Sequence, residues 1–368
     1  MTKEEDLDDQ EAQRKQFYLE TADMRKGWYP VFPVGEISSK KPTAFHLLGD
    51  PIVLYRDPVT LEAVALADIC AHRSAPLSTG AILEGKLECK YHGWQYDTEG
   101  TVVKVPSLMD GRKIPANAKA RSYPLVESDG YIWLWPGNPE DINSAPTPNF
   151  HHLYPQLDFP PRLEYFDLDI DASLLLENFL DPSHLPFTHT GTIGKRADAT
   201  PMRMAMNFTR DQVSGIPDTP HAPHLPFTEF IFFPPSSIGL KIFTKEKNSY
   251  GEQGFYVIPT TKGHCRFVIL QRFTFFHTFS QIPIFSWVMD RIISRMNYKI
   301  LMEDYEMLKG QQRRLLHGAN AMKSPVAADT LIKAYRNWWR VAIKKKPWFS
   351  GYDSDIEDIV LDDYRGSC

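Results

Sequence analysis

Two kinds of hydrophobic patterning divide this chain. Between about residues 50 and 135 the apolar residues come in short β-branched and aromatic runs: Pro51–Arg56, Glu62–Ile69 and Tyr131–Trp135. Asp-Pro, Asp-Gly and Pro-Gly steps cut them. Runs of this kind, bounded by turn dipeptides, predict the short strands of an antiparallel, all-β unit. Farther on, aromatic runs predict longer strands at Phe227–Phe233, Ile238–Phe243, Gly254–Val257 and Phe267–Phe276. From Phe285 to Leu316 the period changes to that of a helix. The expected fold is therefore α+β, an N-terminal all-β domain followed by an antiparallel sheet with a long C-terminal helix.

The chain has 368 residues, enough for two domains. We divide it into an acidic N-terminal segment at 1–26, a first domain at 27–137, a second at 138–350 and an acidic tail at 351–368. A hydrophobic share of 42%, with 12% aromatic, can fill both cores, and a net charge of −5 gives no reason to expect nucleic acid. Four cysteines are too few for a disulfide framework, so a reducing compartment is expected. Met1–Gln16 is acidic and lacks the apolar stretch of a secretory leader. The greasiest stretch, Ile282–Ile293, is interrupted by Asp290 and Arg291 and falls short of a bilayer span. These features predict a soluble, cytoplasmic protein, or a plastid-stroma one if a transit peptide has been removed. The basic run Lys344–Phe349 reads as a solvated patch, with peripheral contact to an anionic membrane surface as the other reading.

The chemistry concentrates in two places. The first is Cys70-Ala71-His72 with Cys89-Lys90-Tyr91-His92, two half-motifs that each offer one thiolate and one imidazole. A Rieske [2Fe–2S] cluster needs that set, two sulfurs on one iron and two imidazoles on the other. Neutral imidazoles leave the cluster less negative, so its potential lies at roughly −150 to +300 mV, against about −400 mV for an all-cysteine plant-type ferredoxin. Structural zinc is the competing reading of a Cys2His2 set. Zinc knuckles of that composition pair Cys with Cys and His with His, whereas here each half is mixed.

The second place is residues 171–194, DASLLLENFLDPSHLPFTHTGTIG. Asn178, Asp181 and His184 are three apart and share one face of a helix. Pro182 and Pro186 predict a kink or step that lets His189 swing in beside His184. Two imidazoles and one carboxylate on one side of an iron form the facial triad of non-haem Fe(II) oxygenases. The carboxylate must come from later in the chain. Asp304 sits among Ile300, Leu301, Met307 and Leu308, where a carboxylate is costly unless paired or metal-bound. Glu303 has Lys299 one turn back, an ordinary solvent-side pair.

These motifs resemble the Rieske non-haem iron oxygenase family. Cys70-Ala71-His72-Arg73 with Gly80, and Cys89-Lys90-Tyr91-His92-Gly93-Trp94, are similar to its Rieske domain. Asn178, Asp181, His184 and His189 follow its Asn-x-x-Asp-x-x-His-x4-His signature. Glu303-Asp304 with Gln311 is similar to its late carboxylate pattern. The run Asn178–His189, with Pro186-Phe187, and the stretch Tyr335–Trp339 look most like the branch that includes pheophorbide a and chlorophyllide a oxygenases. Plant members of that branch close with membrane-spanning helices and a Cys-x-x-Cys; this chain closes with the acidic run Asp353–Asp363.

The resemblance implies a Rieske domain followed by a helix-grip catalytic domain. It implies two cofactors, the Rieske cluster on Cys70, His72, Cys89 and His92, and a mononuclear Fe(II) on His184, His189 and Asp304. Asp181, with Asn178 beside it, would link His92 of one protomer to His184 of the next in a head-to-tail homotrimer. The implied activity is mono-oxygenation of a bulky apolar ring, a tetrapyrrole in that branch, with O2 and electrons from a ferredoxin or reductase. The alternatives are a sterol-type desaturase, an O- or N-demethylating Rieske oxygenase, and a Rieske electron-transfer protein without oxygenase activity.

Overall fold

The computed structural model describes residues 3–153, 162–219, 227–243, 249–273 and 283–345. The acidic tail, the run Lys346–Phe349 and the end of the expected strand at 274–276 lie outside the described residues.

The N-terminal third is all β beyond its first helix, α1 (Lys3–Thr21). Strands β1 (Tyr29–Pro33), β2 (Thr43–Leu47), β3 (Asp50–Arg56), β4 (Ala63–Ala67), β5 (Ala81–Leu83), β6 (Lys86–Glu88), β7 (Gln95–Tyr96), β8 (Val102–Lys104), β9 (Leu125–Ser128) and β10 (Tyr131–Leu134) follow. They form three small antiparallel sheets, β1-β10-β9, β2-β3-β4 and β5-β6-β7-β8. Three hairpins turn on X-Gly pairs with positive φ at both residues, Leu48-Gly49, Glu84-Gly85 and Asp129-Gly130. A turn of that hand matches the twist of the strands it joins, and glycine takes its second position without a Cβ clash.

The larger domain is one seven-stranded antiparallel sheet in the order β11-β17-β16-β15-β14-β13-β12. Its strands are β11 (Arg162–Leu168), β12 (Arg203–Phe208), β13 (Val213–Asp218), β14 (Phe227–Phe233), β15 (Ser237–Phe243), β16 (Ser249–Pro259) and β17 (Cys265–Phe273). Successive side chains leave opposite faces, and both faces are used. On one, Phe255 and Phe267 take the ring of Phe179, at 4.4 and 5.0 Å between centroids. On the same face Phe232 packs edge-on against Tyr335 and Trp338. That face carries α2 (Ala172–Phe179), α4 (Pro283–Leu316) and α5 (Thr330–Lys345), with the one-turn α3 (Leu185–Thr188) between α2 and β12. On the other face Tyr256 meets Trp133 and Phe150 of the N-terminal region. The sheet aromatics Phe230, Phe232, Phe255 and Phe267 are buried core.

A buried charged side chain helps tie the two domains. Arg266 of β17 is 5% exposed and pairs with Asp167 at 2.7 and 2.8 Å. It also donates to the carbonyl of Val31 at 2.6 Å. Its guanidinium lies 4.4 to 4.9 Å from the centroids of Phe32, Phe45 and Tyr165. A planar cation that stacks while its edge donates suits this crossing in a way lysine would not.

The acidic N-terminal segment is a packed helix. Phe17, Tyr18, Ala22 and Met24 are buried, and Trp338 of α5 donates to Thr21 Oγ1 at 2.9 Å. Among the described residues no helix is long and apolar enough to cross a membrane.

Candidate metal centres

The β5–β8 sheet packs over its own small core of Val53, Tyr55, Leu66, Leu77, Leu87 and Tyr96, which also contains Cys70 and Cys89. Two loops of the same build rise from it. Cys70 N bonds Ala75 O and Ser74 N bonds Cys70 O; Cys89 N bonds Trp94 O and Gly93 N bonds Cys89 O, all at 2.8 to 2.9 Å. Each loop closes on a residue of positive φ, Ser74 and Gly93. The repeated geometry explains the paired Cys-x-His and Cys-x-x-His spacings, because it presents a buried sulfur and, two or three residues on, an imidazole nearer the surface.

The structure brings all four predicted residues together. The rings of His72 and His92 lie 4.6 Å apart, and His72 stacks on Trp94 at 4.7 Å with an interplanar angle of 2°. Neither cysteine is in a disulfide. Burial, then the hydrogen bond with Cys70, raises the Cys89 thiol. Tyr96 Oη lies 3.1 Å from Cys70 Sγ and accepts from Ala71 N at 2.9 Å. His72 Nδ1 is buried without a hydrogen-bond partner. A buried thiol pair facing two imidazoles, one with an orphaned nitrogen, fits a [2Fe–2S] group held by two sulfurs and two nitrogens.

The second constellation is built on broken helix. Asp171 caps α2, accepting from Ser173 N at 2.9 Å. The helix ends at Phe179, where Pro182 withholds the N–H that another turn would use. Asp181 then caps a 3-10 turn over Pro182–His184, accepting from Ser183 N at 2.8 Å. The one-turn α3 follows, with His189 at its C-terminal cap. So Asn178, Asp181 and His184 do not share one helix face, as their spacing suggested; only Asn178 is on α2. The step expected at the prolines is present, and it is the step that brings the histidines together.

Asp304 enters from α4, 3% exposed. Its Oδ1 lies 3.4 Å from His184 Nε2 and 3.2 Å from His189 Nε2. Asn178 Nδ2 donates to the same oxygen at 3.3 Å. One ligand atom from each of His184, His189 and Asp304 lies within 4.8 Å of the others. Burial, the largest effect, pushes His184 below its ordinary value against the pull of Asp304 and Asp181. At His189 burial also opposes the charge, but hydrogen bonds to Asp304 and Glu303 together outweigh it and the group rises. Two imidazoles converging on one buried carboxylate fit a divalent cation with an open side.

Glu303 is not where its spacing put it. In place of a solvent-side pair with Lys299, its Oε2 accepts from His189 Nδ1 at 2.8 Å and lies 2.8 Å from Thr192 Oγ1. Gln312, rather than Gln311, is the buried glutamine of α4, and its Oε1 accepts from Asp171 N at 2.7 Å. Asp169 receives hydrogen bonds from Tyr305 and Lys309. These contacts clamp α4 to the root of α2, the two helices that supply Asp304 and Asn178. Asp181, with a side chain 23% exposed, has Oδ2 3.9 Å from His184 Nδ1, which is buried without a hydrogen-bond partner. A groove of about 450 Å³ lined by Phe45, His46, Asp167, Asp169, His264 and Arg266 lies between the domains and includes none of the candidate metal ligands.

A thiolate–imidazole site on a small β domain and a two-histidine, one-carboxylate site beside a large antiparallel sheet define a Rieske oxygenase architecture. Both domains of the chain are similar to that family. Residues 27–124 match the Rieske [2Fe-2S] domain, and residues 168–345 match the vanillate O-demethylase oxygenase C-terminal domain. It is 31% identical over 334 residues to chlorophyllide a oxygenase, chloroplastic, of Chlamydomonas reinhardtii, covering 86% of this chain and 48% of that one. It is 29% identical over 364 residues to pheophorbide a oxygenase, chloroplastic, of Oryza sativa subsp. japonica, covering 90% and 68%. The chain thus spans about half the length of the chlorophyllide a oxygenases it matches. Its fold matches that of dicamba monooxygenase bound to dicamba, with a TM-score of 0.70, 23% identity, and coverage of 88% of this chain and 99% of that one.

Proposed function

We propose that the chain is the terminal oxygenase component of a Rieske system, oxidising a bulky apolar ring substrate with O2 and electrons from a ferredoxin or ferredoxin reductase. One observation carries this reading: in a chain with a Rieske domain, His184, His189 and Asp304 bring three ligand atoms within 4.8 Å of one another, a set that would leave a bound iron open to O2. When bound, the cluster supplies single electrons and the mononuclear iron supplies O2 activation.

The domains we assign are residues 27–137 for the cluster and 138–350 for the iron. Cys70 and Cys89 hold one cluster iron; His72 and His92 hold the other. His184, His189 and Asp304 hold the mononuclear iron, and Asn178 fixes the Asp304 oxygen it donates to. Asp181 caps the turn that carries His184, and its free oxygen connects that histidine to His92 of the adjoining protomer in a head-to-tail homotrimer. The geometry supports this. His92 is exposed at the rim of its own domain, and the His184 Nδ1 that faces Asp181 is buried without a hydrogen-bond partner. A tetrapyrrole of the chlorophyll series is the substrate class, on the likeness to chlorophyllide a and pheophorbide a oxygenases.

O-demethylation of a smaller aromatic ring is the second reading, favoured by the vanillate O-demethylase C-terminal match. Reduced enzyme, held anaerobic, separates the two. A chlorophyll-derived ring or a methoxylated aromatic acid is added, and the Fe(II) site is followed by near-infrared magnetic circular dichroism. The proposal expects the tetrapyrrole to change the ferrous coordination. A response to the methoxylated acid alone would give the second reading.

A further inference from the structure

Resting on the iron site proposed above, we infer that Glu303 is the positioning residue that holds His189 in the tautomer and orientation a metal needs. Consecutive residues on a helix point about 100° apart, so Glu303 and Asp304 of α4 cannot both face one metal ion. They reach the same imidazole from opposite ends instead. Asp304 Oδ1 lies 3.2 Å from His189 Nε2, and Glu303 Oε2 lies 2.8 Å from His189 Nδ1. With Nδ1–H donating a hydrogen bond to Glu303, the Nε2 lone pair points to the space shared with His184 Nε2 and Asp304. Thr192, whose Oγ1 lies 2.8 Å from the same carboxylate oxygen and 2.9 Å from His189 O, fixes the carboxylate in turn. Gly194 makes this return of the chain possible. Its N bonds His189 O at 3.0 Å, and a Cβ there would meet Leu185 O at 2.1 Å.

The two histidines are therefore unequal. His189 is 1% exposed and aimed before any metal arrives. His184 Nδ1 has only Asp181, 3.9 Å away. His189 is the anchoring ligand, and metal affinity depends on Glu303 far more than on Asp181, whose task is electron delivery.

The test is binding of Co(II) to the full chain with its cluster in place, read by the cobalt d–d absorption and by competition with a chelator. The variants are Glu303→Ala, Glu303→Gln and Asp181→Asn, with the Rieske visible spectrum and Tm as internal controls. Loss of a carboxylate behind a ligating histidine costs about 10- to 100-fold in metal affinity. Glu303→Ala is expected to show that loss and an altered d–d band. Glu303→Gln, whose amide oxygen still accepts from Nδ1, is expected to recover most of the affinity, and Asp181→Asn to keep it. Parent-like affinity and d–d spectrum in Glu303→Ala overturn the inference, as does a loss of equal size in Asp181→Asn. A parent chain that binds no Co(II), or binds it equally well as His184→Ala, overturns the iron site itself, a different outcome.

Discussion

The two metal-ligand sets are opposites in construction. At the N-terminal site the donors lie within 23 positions, on two copies of one loop, over a core of their own. His92 and Tyr91 stand exposed there. At the other site the donors come from two short helical pieces and, more than a hundred residues later, from the middle of a 34-residue helix. His189 and Asp304 there are 1% and 3% exposed. An electron can cross a protein boundary only where its carrier reaches the surface, whereas O2 chemistry needs water kept away. The open site is legible because its geometry is local; the closed one depends on what the fold brings together.

Breaking one site should leave the other intact, because their cores are separate. The largest effect is expected from ligand loss. His184→Ala should lower turnover by at least about 100-fold while the Rieske visible and EPR spectra stay as they were. Cys89→Ser should do the reverse, removing the Rieske signal and sparing Co(II) binding at the buried site. Asp181→Asn should come next, retaining both metals but slowing re-oxidation of the cluster by about tenfold or more in single-turnover stopped flow. Unchanged re-oxidation in that variant would remove Asp181 from the path.

A smaller effect is expected where the regions join. Asp167 is largely exposed, so its ion pair with Arg266 contributes little by itself. Arg266→Ala instead loses the buried bond to Val31 and the stacking on Phe32, Phe45 and Tyr165, worth about 2 kcal/mol together. A lower Tm with both metal spectra retained is the expected result. Smallest is Asp169→Asn at the clamp on α4. The Lys309 hydrogen bond, then that of Tyr305, hold Asp169 below its ordinary 3.8. A lowered carboxylate stabilises the fold above the unfolded-state value and loses that contribution as pH falls through the folded-state value. The Tm deficit of Asp169→Asn should therefore be full at pH 7 and shrink below about pH 4. A deficit independent of pH would assign the effect to packing.

The same contrast governs what could be read from the residues. The thiolate–imidazole frame, the Asn178–His189 run, the long helix and most of the aromatic strands have local signatures, and the structure places them close to where those signatures fall. Asp304 could be picked out because a lone carboxylate among Ile300, Leu301, Met307 and Leu308 is costly. Glu303 could not. Helical spacing offered Lys299 as a partner, while its true partner lies 114 positions back. Helix α1 was hidden by its charge, since among its described residues Phe17 and Tyr18 are the buried apolar ones. Helix α5 was noticed only as a stretch of likeness, although Tyr335, Trp338 and Trp339 bury one of its faces.

Iron stoichiometry tests the central claim most directly. Anaerobically reconstituted chain should hold about three irons, two in the cluster and one at the buried triad. Asp304→Ala should hold about two, with the Rieske EPR signal undiminished. A variant that keeps the third iron, or an active parent whose metal is zinc, would contradict the account.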